Sequence, residues 1–175
     1  MRSRLASSSA RLALAAVAAT ALTATATATA HAAADSRGQV TRACVTGDLS
    51  FTVTSETQAG GYLLVTAKAK PGVTCHLRGV FPSASFGSSA DSEVGPAEQA
   101  VGDGVTLSGA KAAYAGINPK TTPGDHGRQF DRLHLSVMGD EPHSVTLRLP
   151  ETVTVDRPEA TNWHADPADA VPFSA

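Results

Sequence analysis

The sequence has no acidic residue before Asp35, only two cysteines, one tryptophan, and no apolar run near about twenty residues downstream of position 34. Each scarcity excludes something. The acid-free start carries Arg2, Arg4 and Arg11, then an apolar stretch over 12–22 that is too short for a lasting anchor. It ends in the small-residue triplets Ala28-Thr29-Ala30, Ala30-His31-Ala32 and Ala32-Ala33-Ala34. This pattern predicts a secretory signal over 1–34, cleaved after Ala30, Ala32 or Ala34. The lack of a later long apolar run predicts no stable membrane span after cleavage. Neither cysteine follows closely enough to become a lipidated first residue, so the expectation is a secreted, extracellular protein.

Two cysteines exclude a cysteine-rich scaffold and a thiolate-caged zinc. Cys44 and Cys75 allow one pairing, and in an oxidising compartment the simplest expectation is a disulfide pinning the start of the domain to its third strand. On the chain-entropy argument, a loop of that span stabilises the fold by roughly 3 to 4 kcal/mol. Basic residues are also few: 14 against 16 acidic ones, and the expected signal contains three of the basic residues, leaving 11 − 16 = −5. Such an acidic surface lacks the footprint for a phosphate backbone, which excludes nucleic acid as a partner and gives no support for an anionic bilayer.

What is present is period-two alternation. Leu49, Phe51 and Val53 alternate with polar neighbours; Leu63, Val65, Ala67 and Ala69 do so after Gly60-Gly61. A third run covers 73–81 and stops at Pro82. Further runs follow at 105–107 after Asp103-Gly104, a turn signal of the hairpin type, at 111–118, at 133–138, at 145–149 and, beyond Pro150, at 153–155. The polar stretches 83–100 and 118–129 read as loops, the first beginning with a serine-rich segment over 83–92. Seven or eight short strands without a three-turn amphipathic helix predict an all-β, antiparallel sandwich. The expected divisions are a signal over 1–34, a lead over 35–43, a β-sandwich over 44–158 and a C-terminal tail over 159–175.

Ala59-Gly60-Gly61-Tyr62-Leu63-Leu64-Val65, Cys75-His76-Leu77-Arg78-Gly79-Val80-Phe81-Pro82 and Ser108-Gly109 before Ala112-Ala113-Tyr114-Ala115-Gly116 form a pattern. It resembles the actinobacterial secreted domain-of-unknown-function family numbered 4232, over about 44–155. The resemblance implies an immunoglobulin-like sandwich found in exported proteins and lipoproteins. It brings no catalytic set and no cofactor.

Motifs of chemical interest have plainer readings. Ser108-Gly109-Ala110-Lys111 has the Ser-x-x-Lys spacing of acyl enzymes, but that spacing needs a helical turn and here lies between strands. Leu149-Pro150-Glu151-Thr152 resembles a wall-sorting signal, yet Val153 stands where glycine should follow and the tail is charged; a proline separating two strands explains it. His76, His126, His134, His143 and His164 are scattered, and no metal site is read from their spacing. His134 and His143 become offset cross-strand neighbours if 139–140 makes a hairpin. Candidate carboxylates for hydrolysis are Asp91, Glu93, Glu98, Asp103, Asp125 and Asp131. Trp163 reads as a plug packed on the sandwich, with a sugar-stacking platform beside Tyr62 or Tyr114 as the functional alternative.

The function read from these features is a non-enzymatic domain that binds an unknown extracellular or envelope ligand through loops 83–100 and 118–129. The alternative is a secreted hydrolase, or an inhibitor of an extracellular enzyme presenting the segment 121–128.

Overall fold

In the computed structural model, which describes residues 41–172, the alternating segments become strands joined by tight turns. They run β1 (Leu49–Glu56), β2 (Tyr62–Ala69), β3 (Thr74–Gly79), β4 (Ser83–Ser85), β5 (Gly95–Pro96), β6 (Gly102–Ser108), β7 (Ala112–Asn118), β8 (Arg128–Ser136), β9 (Val145–Val155) and β10 (Glu159–Ala160). The protein is all-β and sandwich-like, as the alternation predicts. Among the described residues, seven of the ten strands have six residues or more, which accounts for the expected seven or eight. The extra three are β4, β5 and β10, too short to display a period.

The strands form a five-stranded sheet in the order β1-β2-β7-β10-β5, the pair β3-β6 and the three-stranded sheet β4-β8-β9. All pairings are antiparallel except β10 with β5, which is parallel over two residues and makes the first sheet mixed. In-facing residues of all three sheets form one apolar cluster, including Leu63, Val65, Cys75, Leu77, Leu107, Ile117, Leu133 and Leu135, each at most 2% exposed. Removing such side chains from water is the main favourable term in the fold.

Cys44 and Cys75 are joined in a disulfide with their Cα atoms 4.9 Å apart. Backbone bonds extend the clamp: the Cys44 N–H donates to His76 O at 3.0 Å and the His76 N–H to Arg42 O at 2.8 Å. The start of the domain is thereby tied to β3. A second tie crosses about half the sequence. Thr46 is buried, its N–H donates to Asp140 Oδ2 at 2.7 Å, and its hydroxyl accepts the Val137 N–H at 3.0 Å. Asp140 also bonds His143 Nδ1 at 2.6 Å, and the His143 imidazole together with the Thr46 N–H holds its carboxyl below the usual range.

Several boundaries differ from the sequence reading. Asp103-Gly104 is not a turn. It lies inside β6, opposite an irregularity of β3 between Leu77 and Gly79. There Gly104 adopts φ +75°, and a Cβ on it would stand 2.5 Å from Leu77 O. Pro150 does not separate two strands; β9 runs through it, and the register with β8 shifts between Phe130 and Arg132 so that Leu149-Pro150-Glu151-Thr152 is accommodated in an irregularity. Ser108 to Lys111 is the expected turn, closed by the Lys111 N–H on Ser108 O at 3.1 Å.

The segment read as a C-terminal tail is woven into the fold. Residues 159–164 run along the free edge of β7, through the pairs Glu159 with Asn118, Ala160 with Ile117 and Tyr114 with His164. Trp163 is buried with its ring centroid 6.3 Å from that of Phe51, the packed plug its sequence context implies. The structural domain thus extends past 158. The expected signal over 1–34 and residues 35–40 of the expected lead over 35–43 lie outside the described residues.

Candidate functional site

Strand pairing sets what each sheet can expose. In β8, Leu133 and Leu135 point inward and are fully buried, so Arg132, His134 and Ser136 occupy the opposite face. Ala84 pairs with Leu135 on the inner side, while Ser83 pairs with Ser136 and Ser85 with His134 on the outer side. His134 in turn pairs with Thr146, and a bridge brings Glu93 beside Ser85. Glu93, Ser85, His134 and Thr146 therefore form one row across four neighbouring segments. The His134 Nδ1 lies 3.0 Å from the Thr146 hydroxyl.

Above that row is a cleft of about 370 Å³, lined by Phe81, Ser83, Ser85, Glu93, His134, Ser136, Glu141 and Ser144 among others. Glu141 comes from the 3-10 turn Glu141–His143 that follows β8. The Gly139 N–H donates to its Oε1 at 2.8 Å, and that bond, helped by the Ser83 hydroxyl, holds the carboxyl below the usual range. The cleft thus offers an ionised carboxylate, several hydroxyls and an imidazole with one nitrogen engaged.

The segment 83–100, read as a loop from the sequence, contains β4 and β5, and it also walls two other clefts. One, of about 200 Å³, lies between this segment and loop 118–129 and is lined by Ser89, Asp91, Ser92, His126, Arg128, Phe130 and Asp156. Loop 118–129 is held in place: Lys120 Nζ donates to His126 O at 2.6 Å and pairs with Asp156 at 3.6 Å, while Thr122 donates to the same carboxylate. The guanidinium of Arg128 stands 5.8 Å from the Phe130 ring centroid, and that ring packs on Phe86. The third cleft, of about 930 Å³, has small apolar walls from Ala97, Ala100, Ala168, Val171 and Pro172 around a polar knot. In the knot the Asn162 side chain donates to Glu98 Oε2 at 2.8 Å and to Ala100 O at 2.6 Å, and His164 Nε2 lies 2.9 Å from Glu98 Oε1.

The structure distributes the sequence candidates instead of assembling them. Asp91, Glu93 and Glu98 line three different clefts, Asp103 lies in the irregular part of β6, Asp131 stands 3.8 Å from the neighbouring Arg132, and Asp125 lies in loop 118–129. His76 bonds Thr106 across β3 and β6 at 3.2 Å. His134 faces Thr146 and His143 bonds Asp140, so the two remain apart, as their offset register requires. Among the described residues no group of three or more histidines, cysteines or acids could hold a metal ion. Sequence reading passed over Ser85, Ser136, Ser144 and Asn162. Of these only Ser85 carried a signal, the serine-rich segment over 83–92, and its partner His134 is about fifty positions away.

No curated protein matches the chain, and no solved structure does. A family model does: it extends from the first cysteine of the disulfide to the histidine that bonds Glu98, past the 155 limit of the sequence resemblance. Because this match to the domain of unknown function DUF4232 covers residues 44–164, well over half of the sequence, the chain belongs to that family.

Proposed function

We propose that this chain is an exported, non-enzymatic domain that binds a ligand at the cell surface or outside the cell with the clefts around segment 83–100. In this reading residues 1–34 are a removed signal, residues 35–43 lead into a sandwich of immunoglobulin-like type, and the source is actinobacterial. The observation that carries it is the recurrence of one segment: 83–100, with β4, β5 and the loops between them, supplies walls to three separate clefts, and loop 118–129 joins it at one of them. Loops held by a rigid scaffold are where binding residues concentrate. The buried disulfide supports an oxidising compartment, and among the described residues no helix is long and apolar enough to cross a membrane.

The test is retention. Immobilised mature chain is exposed to envelope extract and culture supernatant of the producing cell, beside a variant carrying Ser85→Ala and Glu93→Gln. The expected result is a component held by the first and lost by the second; identical profiles would overturn the reading. A second reading, a hydrolase, has one observation in favour: Ser85 and His134 stand directly opposite on one face with Glu93 alongside. It requires the imidazole to take the Ser85 proton, so burst release from an activated ester that disappears in Ser85→Ala would select it.

A further inference from the structure

We infer that the outer face of β8 and β9, together with the adjoining cleft at β4, takes an acidic glycan, a chain of sugar rings bearing carboxylates, with one acid group on Arg132 and Arg148. The inference rests on the binding reading above and names the ligand class for that site. Its basis is a polarised face. Arg132 and Arg148 are directly opposite in the β8–β9 register, and both are exposed. Like charges so placed oppose pairing, so strand stability does not favour the arrangement. Arg132 has only its neighbour Asp131 at 3.8 Å, and Arg148 has no ion pair among the described residues. Arginines at one register position of neighbouring strands can direct guanidinium donors to one carboxylate, which accepts hydrogen bonds in a fork.

His134 and Thr146 lie two positions along the same strands, about 7 Å from the arginine row at the rise of an antiparallel strand. Ser136 and Ser144 line the cleft on the far side of His134. From the arginines the face therefore passes through an imidazole and hydroxyls to Glu93 and Glu141. A ligand complementary to it carries hydrogen-bond donors at one end and an anion at the other. Sugar hydroxyls donate to carboxylates and accept from serines, while Phe81 in the wall offers an apolar surface to ring C–H groups.

The test titrates the mature chain with three probes: polygalacturonate, neutral dextran and poly-glutamate. Polygalacturonate is expected to bind most tightly. Arg132→Gln with Arg148→Gln should weaken it about tenfold, the scale of one lost charge-assisted contact, and leave any dextran binding unchanged. Ser85→Ala with Glu93→Gln should weaken both sugars. Arg148→Glu is a second variant, expected to weaken polygalacturonate further; unchanged thermal midpoints confirm folding. The inference is overturned if polygalacturonate does not bind, if poly-glutamate binds equally well, or if the arginine variants bind unchanged. Should envelope retention still depend on Ser85 and Glu93 while polygalacturonate fails to bind, the ligand class falls and the binding reading stands.

Discussion

Strand β7 and strand β8 are both central in their sheets, yet one is closed on every side and the other keeps a free face. β7 lies between β2 and the 159–164 segment, with the core under Ala113, Ala115 and Ile117. Its other face is covered at Gly116, where an added Cβ would stand 2.0 Å from Ala170 O and 2.7 Å from Pro172 Cδ. Small residues in β7 are the consequence: only Gly116 lets the returning chain approach so closely. β8 has the core on one side and, at Arg132 and His134, solvent on the other, so Leu133 and Leu135 alternate with residues free to carry chemistry. Function has room on β8 because burial over 132–135 uses only every second position.

This contrast can be broken most severely within β8. Leu135→Ala should cost about 2 to 5 kcal/mol through lost burial and the cavity left behind, whereas His134→Ala next to it should stay within about 0.5 kcal/mol. Urea unfolding of the two variants checks the difference; equal costs would mean that β8 has no free face. In β7 the outer position should be sensitive too. Gly116→Ala should cost about 1 to 3 kcal/mol by displacing residues near Ala170, and proteolysis should then begin in the C-terminal segment. A neutral result would show that the segment does not close that face.

The smallest effect concerns the end of β8. Asp140 is held below its ordinary 3.8 by His143 and Thr46, so its contribution is complete above that value and is lost as pH falls through the depressed folded one. Urea midpoints on either side of pH 3.8 should therefore drop on the acid side, and less so in Asp140→Asn. A variant with the same acid slope as the wild type would remove Asp140 from the account.

Much of the scaffold was legible because period two is a local property. Leu49 to Val53, Leu63 to Ala69 and Leu133 to Val137 announce both a strand and its inner face. The shorter strands were not legible: β4, β5 and β10 hold two or three residues, and the apparent tail gave no sign that β7 needed an edge partner. The polar cleft was hidden for a related reason. Glu93, Ser85, His134 and Thr146 are unremarkable one by one, and only the register of β4 on β8 and β8 on β9 sets them in a row.

The sequence by itself determined the all-β class, the one disulfide its two cysteines allow, and which side of each long strand is apolar. These follow from residue chemistry and spacing along the chain. Only the tertiary structure decided which strands meet, that 159–164 completes the first sheet, and that three clefts share one segment. Alternation fixes the face on which a side chain stands but says nothing of the strand opposite, because partner choice depends on packing between residues far apart in the chain.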